Sequence, residues 1–122
     1  MLPDAPLSAP TPSQDNDKSV PTSAEDTLPC VLSFNANDAI GAGGVVSDAL
    51  VMASMGTHCL PVATGAYLRD TRDSTGFIPV AAAAIDEQAR LVAEDAPLQT
   101  LKIGFLGSAE AVALVAAFAA DY

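Results

Sequence analysis

Three glycines, Gly41, Gly43 and Gly44, stand between two carboxylates, Asp38 and Asp48, just after a short apolar run from Cys30 to Phe34. That order reads as strand, glycine loop, helix. The start of a helix offers unpaired N–H groups and a positive partial charge, which suits a small polar or anionic ligand. Asp48 is placed by this reading in the helix's first turn. Two common phosphate loops are excluded. No Gly-Lys-Ser/Thr follows the glycines, and a dinucleotide fingerprint would need glycine where Val46 stands. On the loop alone, a conformational role for the glycines is the stronger reading.

The other polar residues have plain readings too. Asp38 suits a turn cap, and Asp48 suits a surface acid drawn to a helix N-terminus. Arg69, Asp70, Arg72 and Asp73 read as a solvated loop with weak ion pairs. Asp86, Glu87 and Arg90 fit the exposed face of a helix. Lys102 fits a surface role as well as a ligand contact, and for Phe105 core packing and ligand contact weigh equally. Cys30 and Cys59 form no CxxC, zinc pattern or disulfide framework. His58 adjoins Cys59, but neighbours on a strand point to opposite faces, so the two are not a catalytic pair. No metal site is expected.

The elements that must position these residues alternate. Strands are expected near 30–35, 58–64 and 98–103. Helices are expected near 44–55, from about Pro79 to Asp95, and from Ser108 to the C-terminus. Residues 36–43 and 65–78 are read as loops. Gly56 closes the first helix, Pro97 stops the second, and the Ser108 hydroxyl caps the third. A β-α-β-α-β-α order predicts an α/β fold with a parallel sheet and right-handed crossovers. The final helix, AEAVALVAAFAA, is apolar on almost every face and is expected to lie uncovered beside a bare sheet edge. Association with a second copy or a complementing half follows from that expectation.

One domain is the ceiling for 122 residues. Half the residues are apolar and only 5% aromatic, so the core is built from small side chains. Fifteen acids against five bases leave a net charge of −10, which disfavours nucleic acid and anionic membranes as partners. Residues 1–29 hold six of the nine prolines and read as a disordered tail before a domain at 30–122. No secretory leader or bilayer-spanning stretch is apparent, and the two sparse thiols fit a reducing cytoplasm.

From Val31 to Ala120 the chain resembles the N-terminal part of hydroxymethylpyrimidine and phosphomethylpyrimidine kinases, ribokinase-like enzymes of thiamine biosynthesis. The matching pieces are Asn37-Asp38, Gly41 and Gly44, Asp48, LPVATGAYLRDT at 60–71, and Lys102-Ile103-Gly104 with Leu106 and Ser108. The resemblance implies a three-layer α/β domain, preceded by the tail. It also implies transfer of the γ-phosphoryl of ATP, with Mg2+, to the hydroxymethyl group of a 2-methyl-4-aminopyrimidine. The implied substrate-binding positions are Ala36, Asp48, Arg69 and Phe105, beside a loop holding Asp38, Gly41, Gly43 and Gly44. Arg69 replaces a glutamine usual in the family, Ala36 a glycine, Phe105 a methionine, and Ala39-Ile40 a Pro-Ser pair. Arginine cannot accept a hydrogen bond, so recognition of the pyrimidine's 4-amino group should change, or an anionic ligand should be favoured. The family's second glycine-rich segment, with its phosphoryl-transfer groups and most of the ATP site, has no counterpart in residues 1–122. No catalytic residue is therefore expected here, and the alternative is a non-catalytic pyrimidine- or protein-binding half-domain or a gene fragment.

Overall fold

The strand at the centre of this fold is buried on both faces, and its sequence shows why. A computed structural model describes residues 27–122, and the expected tail falls, up to residue 26, outside the described residues. Strand β1 (Cys30–Asn37) lies between β2 (His58–Arg69) and β4 (Leu98–Ile103), parallel to both. The sheet order is β3-β2-β1-β4. Successive β1 side chains alternate between faces. Leu32 and Phe34 join the main core, whereas Ser33 and Asn35 hydrogen-bond to Asp48 of helix α1 (Gly44–Ser54). Helices α2 (Ala82–Asp95) and α3 (Ala109–Asp121) cover the first face through Ile85, Ala89, Ala111, Val115 and Phe118. The result is the three-layer α/β arrangement expected from the sequence.

Three expectations are corrected. Residues 65–78 are not a loop. β2 continues to Arg69 and turns into β3 (Ser74–Pro79), which pairs with it antiparallel, so the sheet is mixed and four-stranded. The polar run that resembled a solvated loop is the hairpin turn, held by the Asp70 carboxylate, which accepts the N–H groups of Arg72 and Asp73 at 2.7 and 2.8 Å. Pro79 ends β3 rather than starting a helix, and α2 begins at Ala82. Proline suits that end of an edge strand, where its missing N–H costs no ladder bond.

The third correction concerns the uncovered helix. α3 is not bare, because Ala111, Val115 and Phe118 are buried against α2 and the sheet. The helix with no buried residue is α1, whose Leu50 and Val51 are 66% and 54% exposed. The expected caps are present. The Ser108 hydroxyl accepts the Ala111 N–H at 3.0 Å. Gly56, at φ +73°, follows α1, with Gly56 N–H on the Ala53 carbonyl and Thr57 N–H on the Met52 carbonyl. That pair of bonds satisfies carbonyls the helix would otherwise leave open.

β3 pairs with β2 only as far back as Gly65. Just beyond that limit the Gln88 side chain of α2 takes the place of a strand. Its amide donates to the Ala63 carbonyl at 3.0 Å, and its oxygen accepts the Ala63 N–H at 3.2 Å. Both backbone groups are thus paired where the ladder has ended.

Candidate functional site

Ala36, Arg69 and Phe105 come from distant parts of the sequence but stand at neighbouring strand ends. Ala36 is next to last in β1, Arg69 ends β2, and Phe105 lies two residues past β4. All three strands run the same way, so these are their C-terminal ends, where open α/β sheets hold ligands.

The glycine loop between β1 and α1 is organised by Asp38. This carboxylate is 2% exposed, and its two oxygens accept the Ile40 and Gly43 N–H groups at 3.1 Å each. The Asp38 carbonyl also accepts the Gly41 N–H at 2.9 Å. Gly44 sits at φ +68°, and a Cβ there would strike the Ala36 carbonyl oxygen. Glycine at 44 therefore serves the tight strand-to-helix turn, as the conformational reading held. The Arg69 Nε is 3.8 Å from Asp38 Oδ1 and donates to the Asp70 carbonyl at 3.2 Å. The hairpin end thus lies over the glycine loop.

Asp48 sits one turn into α1, not in its first turn, which holds no acidic residue. Its side chain points at the sheet. The Ser33 hydroxyl and Asn35 amide donate to Oδ2 at 2.7 and 3.0 Å, and the Lys102 ammonium is 3.0 Å from both oxygens. Burial pushes this carboxyl's pKa up, but the bonds from Asn35, Ser33 and Lys102, with the lysine's charge, outweigh it and hold the group below its ordinary value. On the same face, burial and the Asp48 charge push the Cys59 thiol up, against the opposing pull of Lys102. A thiol kept protonated is a poor nucleophile. Cys30 and Cys59 are both free thiols.

The Phe105 ring is 47% exposed, so it is not core. It meets Tyr67 at a centroid distance of 5.5 Å and Phe77 at 4.9 Å, the latter edge-to-face. Tyr67 and Phe77 are themselves 5.4 Å apart. Three aromatic rings, rare in this chain, therefore gather at one end of the sheet. Two polar strand residues that sequence reasoning passed over anchor this region. Asn35 and Thr64 are 7% and 0% exposed. Asn35 Oδ1 accepts the Ala36 and Phe105 N–H groups at 2.9 and 3.2 Å, and the Thr64 hydroxyl donates to the Phe105 carbonyl at 2.6 Å. Their trace in the sequence is a polar residue inside a strand buried on both faces, where an unpaired group would be costly.

A groove of about 500 Å³ lies elsewhere, along β4 between the ends of α2 and α3, lined by residues such as Ala93, Pro97, Leu101 and Tyr122. None of Ala36, Asp48, Arg69 and Phe105 borders it. Among the described residues no group of three or more His, Cys, Asp or Glu is placed to hold a metal ion.

A family model for phosphomethylpyrimidine kinase matches residues 38–122, from the loop carboxylate to the end of α3. The chain belongs to the phosphomethylpyrimidine kinase family. A hydroxymethylpyrimidine/phosphomethylpyrimidine kinase of Streptomyces coelicolor is 34% identical over 90 residues, which cover 74% of this chain and 34% of that protein. The chain thus spans about a third of the length of this curated relative. Among solved structures, the phosphomethylpyrimidine kinase of Clostridium difficile aligns with a TM-score of 0.73 at 23% identity, covering 77% of this chain and 41% of that one. The pyridoxal kinase of Staphylococcus aureus, solved with AMP-PCP and pyridoxal, aligns with a TM-score of 0.64 at 19% identity, covering 75% and 35%. The two structural likenesses establish the shared fold. The family expected from the sequence is the family found.

Proposed function

We propose that residues 30–122 supply the pyrimidine-facing part of a thiamine-pathway kinase, one that moves the ATP γ-phosphoryl to a hydroxymethyl or phosphomethyl pyrimidine. The observation that carries this reading is the meeting of Ala36, Arg69 and Phe105 at the C-terminal ends of β1, β2 and β4. The exposed Phe105 ring offers a flat apolar face for a heteroaromatic ring. Ala36 is fully buried, so it would lie beneath the ligand rather than in contact with it. Arg69 offers donors at the rim. Asp48 acts behind this face, because Ser33, Asn35 and Lys102 already occupy its oxygens. Asp38, Gly41, Gly43 and Gly44 shape the loop that closes one side.

ATP and Mg2+ belong to this reading, but the described residues do not fit them. The glycine loop has no Gly-Lys-Ser/Thr, and the two loop-end carboxylates are taken up by backbone and side-chain donors. The 122-residue chain alone is therefore expected to bind the pyrimidine without turning it over at an appreciable rate. No helix among the described residues is long and apolar enough to cross a membrane. We assign the activity to the cytoplasm, where two free thiols stay reduced. We also assign the free edge of β4, which ends the sheet, to a second copy or a complementing C-terminal half.

Calorimetric titration of 4-amino-5-hydroxymethyl-2-methylpyrimidine into the folded chain, with an ATP-dependent phosphorylation assay beside it, tests the proposal. Saturable heat with little turnover is expected. A folded sample that gives no heat at millimolar ligand would overturn the assignment.

A further inference from the structure

The Phe105 ring is half exposed, so packing on one side cannot by itself fix where it points. The main chain carrying it is held instead. Its N–H donates to Asn35 Oδ1 at 3.2 Å, and its carbonyl accepts the Thr64 hydroxyl at 2.6 Å. The preceding Gly104 N–H donates to the Phe34 carbonyl at 2.7 Å. Asn35 comes from β1 and Thr64 from β2, so two strands grip the peptide groups on either side of one residue that follows a third.

We propose that Asn35 and Thr64 are positioning residues that clamp the Phe105 main chain, and so set the face its ring presents to a flat heteroaromatic ligand. The ligand half of this statement rests on the function proposed above. The clamp half rests on geometry alone. The Asn35 amide has one workable orientation. Its oxygen takes two backbone N–H donors, which leaves its nitrogen facing the Asp48 carboxylate at 3.0 Å. Asp48 is in turn held by Ser33 and Lys102. A chain of hydrogen bonds therefore runs from α1 through Asn35 to the main chain that carries the Phe105 ring. Space is tight along it. A Cβ at Gly104 would lie 2.5–2.7 Å from the Asn35 side-chain amide. Neither Asn35 nor Thr64 is free to turn away, since both are nearly or fully buried.

The test compares Thr64→Val, Thr64→Ser, Asn35→Asp and the exchange pair Asn35→Asp/Asp48→Asn in the 122-residue chain. Thr64→Val keeps the shape and removes the hydroxyl, whereas Thr64→Ser retains it. Asn35→Asp sets two carboxylates face to face, and the exchange pair restores one donor and one acceptor. Hydrogen exchange at the Phe105 amide is read beside the thermal transition and the affinity for 4-amino-5-hydroxymethyl-2-methylpyrimidine. Thr64→Val and Asn35→Asp should speed Phe105 exchange at least tenfold relative to core amides and weaken the pyrimidine at least fivefold. Thr64→Ser and the exchange pair should return both values to within twofold of wild type. Phe105 exchange that follows the global transition equally in all four variants would overturn the clamp. If Asn35→Asp fails to fold, the Thr64 pair decides the matter alone. If the wild-type chain binds no pyrimidine, the functional proposal falls, and Phe105 exchange still decides the clamp.

Discussion

Lys102 and Asp48, 54 residues apart, meet with the lysine Nζ 3.0 Å from both carboxylate oxygens. The pair joins β4 to α1 across the face of β1. Asp48 is 14% exposed and Lys102 40%, so the pair is screened on the lysine side only. Replacing Lys102 by methionine leaves a largely buried carboxylate with two neutral donors. The expected loss is about 1–2 kcal/mol, after allowance for solvent at the lysine. Urea unfolding of Lys102→Met, Asp48→Asn and the double variant measures it. The double variant should cost less than the sum of the two singles.

Asp48, held by Asn35, Ser33 and Lys102, also contributes to the acid response. The pKa of Asp48 is lowered in the folded chain, so the folded state binds its proton less readily than the unfolded chain does. Its stabilisation is complete above the ordinary carboxylate value of about 3.9 and fades as pH falls through the lowered folded value. Asp48→Asn should therefore flatten the stability curve between about 3.9 and the lowered folded value relative to wild type. Melting temperatures taken across the acid range give the comparison, and parallel curves would remove Asp48 from the acid limb.

Gly44 and Gly56 both adopt positive φ, yet substitution should separate them. A Cβ at Gly44 meets the Ala36 carbonyl, whereas one at Gly56 meets nothing within 4 Å. Gly44→Ala should cost about 2–4 kcal/mol, from backbone strain and the clash together. Gly56→Ala should cost about 1 kcal/mol, from conformation alone. Equal losses by chemical denaturation would show that the loop yields at Gly44.

What could be read from the sequence followed local chemistry. Gly56 and Ser108 carry their capping roles in their own side-chain types, and the three parallel strands are marked by apolar runs. The β3 hairpin was hidden because Asp70, Arg72 and Asp73 are as polar as a solvated loop, while Phe77 and Ile78 form too short a run to stand out. α1 and α3 look alike as sequences, since both are apolar all round. Only the packing on α2 shows that α3 is the covered one. The family resemblance named Ala36, Arg69 and Phe105, which the fold sets at neighbouring strand ends, and Asp48, which points at the sheet instead. Asn35 and Thr64 went unnoticed because each forms its decisive bond to Phe105, 70 and 41 residues away.

A pyrimidine that lies against the C-terminal ends of β1, β2 and β4, as proposed, should perturb the amides there. Amide chemical shifts of the labelled 122-residue chain, followed during titration with 4-amino-5-hydroxymethyl-2-methylpyrimidine, test it most directly. Saturable shifts concentrated at Ala36, the 38–44 loop, Arg69 and Phe105, and abolished by Phe105→Ala in a sample that still melts cooperatively, are the predicted result. Shifts gathered instead along the groove between Ala93 and Tyr122, or none at millimolar ligand in a folded sample, would contradict it.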